Sequence, residues 1–163
     1  PNEKISYSIN KMNKEERRAL VQQLKNDQEN RQKQLTDLVH KMMQKQSSTY
    51  TFAVSGSTDD DSIWKFLASG DYTVDAETKA QAQADIAEDG YYGVKQSSER
   101  MFDFACALGG DDEESMKKMQ AAIEKGYKQA TKAWGKELPS ICKDTLDATN
   151  KLFEDYYASK KAE

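Results

Sequence analysis

Apolar and small residues recur at Ala82, Ile86, Gly90, Gly93, Ser97, Met101, Phe104 and Leu108, always three or four positions apart. That spacing marks one face of an α-helix. It predicts a single helix from Ala76 to Leu108, capped by Asp75, roughly 50 Å long. Gly90 and Gly93 fall in its middle, where each costs about 1 kcal/mol relative to Ala. The expectation is that both glycines face another helix of the same chain and admit its close approach.

The same periodicity continues on either side. Asn13 and Glu16 form an N-cap and its N3 partner, and strong helix formers run from there to about Lys45. Leu20, Val21 and Leu24 supply apolar surface early, and Leu35, Leu38, Val39 and Met42 supply it late. Between them, Lys25 to Gln34 is polar all round and offers little to a core. Gln46 to Asp61 reads as a loop, with Asp59, Asp60 and Asp61 capping the next element. Ser62 to Ser69 is a short apolar helix ending at Gly70. Its Ile63, Trp64 and Phe66 suit either a plug over the bundle or a partner contact.

Asp111 to Glu114 open a helix carrying Met116, Met119, Ile123, Tyr127, Ala130 and Trp134, which Gly135 ends. Pro139 starts the last helix, with Ile141, Thr145, Leu146, Thr149, Leu152, Phe153 and Tyr156 on its face. Short connections make these last helices antiparallel neighbours. The predicted fold is all-α, an antiparallel helical bundle of four long helices plus one short helix. Residues 1–12 are expected as a flexible N-terminal extension, 13–158 as a single helical domain and 159–163 as a frayed C-terminal tail.

Composition narrows the function classes. The 163 residues fit one domain, and 37% apolar against 32% charged implies a thin core between amphipathic helices. A net charge of −4 without a basic cluster argues against nucleic-acid binding. No run of 18 apolar residues occurs, so no membrane insertion is expected. The two cysteines, Cys106 and Cys142, lack CxxC spacing and read as reduced thiols of a cytoplasmic protein. They fall at opposite ends of the intervening helix, so no disulfide is expected. The first residue is Pro1 rather than Met, which suggests a trimmed piece of a longer protein and leaves a targeting segment open.

Candidate chemistry is sparse. His40 is the one histidine, and no partner motif accompanies it. Neither GxGxxG nor GxxxxGK[ST] occurs, and no ligand set for a metal is spaced along the chain. No catalytic residue, cofactor or metal is therefore assigned. What stands out is the tyrosine pair between two glycines. Gly90, Tyr91, Tyr92, Gly93, Gln96 and Arg100 are the candidate ligand groove or packing seam, with Arg100 placed to pair with an acid across the bundle. The leading expectation is a non-catalytic protein-interaction or scaffold module with an unknown partner. The alternative is a small-molecule or peptide-binding helical domain with its groove near Gly90 to Arg100.

Five segments carry a resemblance: Asp89 to Val94, Gln96 to Arg100, Phe104-Ala105, Gly109 to Asp111 and Leu138 to Ile141. Together they resemble an uncharacterised bacterial all-helical family of unknown function. Its clostridial members often carry the label "hydrogenase-4 component G". The likeness runs from about Asn13 onward and implies a helical fold without naming an activity. It also implies a Ser/Thr-rich segment ahead of the helices. The hydrogenase label does not fit the cysteines, because a nickel–iron large subunit needs cysteine pairs for its metals.

Overall fold

The computed structural model describes residues 7–44, 67–70 and 73–162. Its helices are α1 (Ser8–Lys11), α2 (Lys14–Gln44), α3 (Ala76–Asp85), α4 (Val94–Gly109), α5 (Glu113–Trp134) and α6 (Ser140–Lys161). There is no strand among the described residues, and the chain is an all-α helical bundle as its periodicity predicts. The predicted loop at 46–61 and the partner-contact residues Ile63, Trp64 and Phe66 lie outside the described residues.

Local chemistry sets the helix ends. The Asn13 side chain accepts from the Glu16 amide at 2.8 Å, and Asp75 accepts from Thr78 at 2.6 Å. Asp112 takes both the amide and the hydroxyl of Ser115, at 3.2 and 2.6 Å. Each of these caps satisfies amide donors that the first turn leaves unpaired. At the other end of α5, Gly135 adopts φ 88°, a left-handed C-cap.

Helix α4 is the hub of the packing and touches α1, α2, α5 and α6. The core joins Phe102, Ala105 and Cys106 of α4 to Met116 of α5 and to Phe153 and Tyr156 of α6. Its rings meet edge to face, Phe102 with Phe153 at 5.2 Å and Tyr7 with Tyr156 at 5.2 Å between centroids. This arrangement brings positive ring edges onto negative faces. Gln120 bridges α5 to α6, donating to Asn150 at 3.1 Å and accepting from the Tyr157 hydroxyl at 2.9 Å.

Three expectations are corrected. The predicted single helix from Ala76 to Leu108 is two helices, α3 and α4, separated by the turn Ile86–Gly93. No residue of α3 is buried. Because the turn resets the helical phase, the buried face of α4 carries Ser98, Phe102, Ala105, Cys106 and Ala107, while Met101 and Leu108 are exposed.

The N-terminal extension is not loose over its described part. Tyr7 and Ile9 pack on the core, and Asn10 is buried. The Asn10 Nδ2 donates to the Gly110 carbonyl at 2.7 Å, and Arg17 Nη1 donates to the Ala107 carbonyl at 3.1 Å. These donors close the C-terminal carbonyls of α4, where a cation also complements the helix dipole. The Asn10 Oδ1 is buried with no donor among the described residues, a desolvation cost of about 1–3 kcal/mol that the packing of Tyr7 and Ile9 must exceed. Gly110 takes φ 66° at this junction, and the Arg17 guanidinium carbon lies 2.9 Å from where a Cβ would stand.

The C-terminus is likewise held beyond the expected boundary. Helix α6 continues through Lys161, and Lys160 Nζ reaches Asp111 at 2.8 Å. The Tyr156 hydroxyl donates to the same carboxylate at 3.0 Å. Both cysteines are free thiols, Cys106 buried and Cys142 half-buried.

Candidate functional site

The turn between α3 and α4 is where the candidate residues meet. It closes through Gly90 N to Ala87 O at 2.8 Å, Tyr92 N to Asp85 O at 2.7 Å and Gly93 N to Gly90 O at 3.0 Å. Its glycines are needed for close approach of the chain to itself. A Cβ on Gly90 would lie 2.3 Å from the Ala84 and Asp85 carbonyl oxygens, and one on Gly93 would lie 2.2 Å from that of Ala87. The expectation that they face another helix is therefore corrected: they face the end of α3 and the turn itself.

Side chains of α4 lock this turn. Gln96 Nε2 donates to the Asp89 carbonyl at 2.8 Å, and Arg100 Nη1 donates to the Tyr91 carbonyl at 2.6 Å. Arg100 also donates to the Ser97 hydroxyl at 3.2 Å, and its guanidinium carbon stands 3.7 Å from the Tyr91 ring centroid. It thus holds a backbone carbonyl and a ring, rather than the acid expected across the bundle. From α2, the Arg31 guanidinium carbon comes within 4.0 Å of the same centroid. Tyr91 and Tyr92 meet edge to face at 4.9 Å. Burial, and secondarily Tyr91, push the Tyr92 hydroxyl above its usual pKa, so it stays a neutral donor.

Two depressions flank the turn. The larger, about 630 Å³, is an open groove between the N-terminal half of α4 and α6. Ile86, Val94, Ala148 and Leu152 give it an apolar surface; Glu88, Lys95, Glu99, Lys151 and Asp155 ring it with charge. The smaller, about 300 Å³, lies between α2 and the turn and is lined by Asp27, Asn30, Arg31, Gln34 and Tyr91.

Gly90, Tyr91, Tyr92, Gly93, Gln96 and Arg100 are thus brought together, although only Tyr91 lines a cleft. The sequence reading missed Asp27, Asn30, Arg31 and Gln34, because a run that is polar all round gives no apolar phase to follow. Their signal was the i, i+3, i+4, i+7 spacing of polar residues, one helix face. It also missed Ala148, whose small side chain opens the larger groove. His40 is half-buried near the end of α2 and lines neither depression. Among the described residues, no three His, Cys, Asp or Glu side chains cluster as a metal site. Comparison of the chain with protein-family models, with curated proteins and with solved structures finds no match.

Proposed function

We propose that this chain is a non-catalytic protein-interaction module that receives an apolar segment of a partner polypeptide in the groove between α4 and α6. The observation that carries the proposal is the groove: about 630 Å³, open to solvent, apolar within and charged around the rim. An open apolar surface with a charged rim suits an amphipathic helix or an extended peptide bearing apolar anchors. On the rim, Lys151 and Asp155 pair with each other at 3.2 Å. Glu88 and Glu99 then stand against Lys95 alone, so an apolar segment with a basic flank fits best.

A random-peptide selection against the whole chain tests this, using Ala148→Arg to fill the groove. Groove binding predicts enriched peptides with apolar anchors and Lys or Arg nearby, losing at least about tenfold in affinity on Ala148→Arg, the scale of one lost anchor. Circular dichroism of the variant establishes that it is folded. Enriched peptides that bind Ala148→Arg as well as the parent overturn the proposal.

No helix among the described residues is long and apolar enough to cross a membrane. We extend the proposal to a cytoplasmic setting, which the two free thiols support. Kinship with the uncharacterised bacterial family rests on the five segments described above, and it brings no activity with it.

A further inference from the structure

We propose that the smaller cleft, between α2 and the Tyr91 turn, binds a small zwitterion of the α-amino-acid class. The proposal is independent of the groove between α4 and α6.

Asp27, Asn30, Arg31 and Gln34 occupy one face of α2 and turn it toward Tyr91 across about 300 Å³. That volume sits at the lower end of the roughly 300–1,000 Å³ range of ligand pockets, so a small molecule fits and a folded partner does not. Asp27 and Arg31 stand at i, i+4, the spacing at which helical acids and bases normally pair. They are not among the ion pairs of the described residues. Arg31 instead lies over the Tyr91 ring at 4.0 Å. The ring is fixed in turn, because Arg100 holds the Tyr91 carbonyl at 2.6 Å.

The result is an exposed carboxylate and an exposed guanidinium on one wall of the cleft, with no ion pair between them among the described residues. Their charges cancel, so a simple anion meets Asp27 and a simple cation meets Arg31, each unfavourably. A zwitterion satisfies both: its ammonium donates to the Asp27 carboxylate and its carboxylate accepts from Arg31. Asn30 and Gln34 each offer an amide donor and acceptor for the remaining polar groups. The Tyr91 ring provides the apolar wall.

The test is calorimetric titration of the full chain with a panel of α-amino acids at up to ~10 mM, beside propylamine and propionate as singly charged controls. At least one amino acid should bind, with each control about tenfold weaker or more, as expected when one charge-assisted contact is absent. Asp27→Asn and Arg31→Gln should each weaken binding by a similar factor. Both residues are exposed, so the folds survive. Ala148→Arg, in the other groove, should leave amino-acid binding unchanged, so failure here and failure of the peptide-binding proposal are separable. No binding by any amino acid, equal binding by propionate, or indifference to both α2 substitutions overturns the proposal.

Discussion

Replacing Gly93 or Gly90 by Ala tests the turn on which both sites depend. A Cβ at Gly93 falls 2.2 Å from the Ala87 carbonyl oxygen, where ordinary contact begins near 3.4 Å. At Gly90 two carbonyl oxygens stand at 2.3 Å. In each case the obstacle is backbone, so no side chain can swing aside and the turn must open by roughly an ångström. Three hydrogen bonds of 2.7–3.0 Å close it. Losing two or three of these, at about 0.5–1.5 kcal/mol each, amounts to about 1–4.5 kcal/mol. Reduced freedom of the unfolded chain returns about 0.4–1 kcal/mol. A net destabilisation of up to about 4 kcal/mol, centred on about 2, is expected, read as a lower urea midpoint at unchanged slope. The opposite sign is diagnostic: in one continuous, unobstructed helix, Ala would stabilise by about 1 kcal/mol. Gly93→Ala and Gly90→Ala proteins more stable than the parent by about 1 kcal/mol refute the turn.

Gly126 provides the counterpart, since a Cβ there meets nothing within 4 Å among the described residues; Gly126→Ala should add about 1 kcal/mol and raise Tm by about 2–4 °C in a thermal melt. Burial, followed by the Asp103 carboxylate, pushes the Cys106 thiol up to about 12. A thiol reagent at neutral pH should therefore label half-buried Cys142 first and Cys106 only as the chain unfolds, and the reverse order refutes the core assignment. The unfolded Cys106 thiol ionises near 9.0 and the folded one only near about 12, so stability is full below 9.0 and declines as pH rises from there. Urea midpoints at increasing alkaline pH should show this decline, and Cys106→Ala should lessen it. Lys160, helped by the Tyr156 hydroxyl, holds Asp111 below its usual 3.8. That contribution is complete above 3.8 and is lost as pH falls through the lower folded value. Asp111→Asn should flatten acid unfolding curves in this range.

The fates of particular residues show what a sequence pattern can carry. Met116, Met119 and Ile123 on α5, and Thr149, Phe153 and Tyr156 on α6, pack where their spacing put them. Both helices are uninterrupted between their ends, so a phase read at one end holds at the other. Along Ala76 to Leu108, every step of three or four fits a helix, but the register crosses a turn. Past Gly93 the inferred face is one residue out, about 100° of rotation: Met101 and Leu108 were expected inside, and Phe102 and Ala105 are there instead. Gly90 and Gly93 marked the break, but glycine in a helical pattern is equally compatible with close helix packing. Tyr7 and Ile9 escaped notice for another reason. A four-residue helix is too short to display a period, and its packing comes from long-range contact with the core.

The polar middle of α2 gains a role when the two helices are set side by side. Arg17 of α2 meets the C-terminal carbonyls of α4, and Arg31 meets Tyr91 just ahead of the α4 N-terminus. The two helices therefore run antiparallel, and the stretch between the arginines spans roughly 21 Å, close to the length of α4. Leu20, Val21 and Leu24 cover only the first part of that span; Lys25 to Gln34 carry the chain onward without a core to join. The two arginines act differently because the two ends of a helix differ. At the C-terminus there are unpaired carbonyls and negative potential, and Arg17 is consumed by them. Near the N-terminus the Asp89 and Tyr91 carbonyls are already taken by Gln96 and Arg100, and Arg31 rests on the Tyr91 ring. An apolar middle would have closed α2 onto the turn. A polar one leaves the cleft open, with Asp27 and Arg31 facing into it.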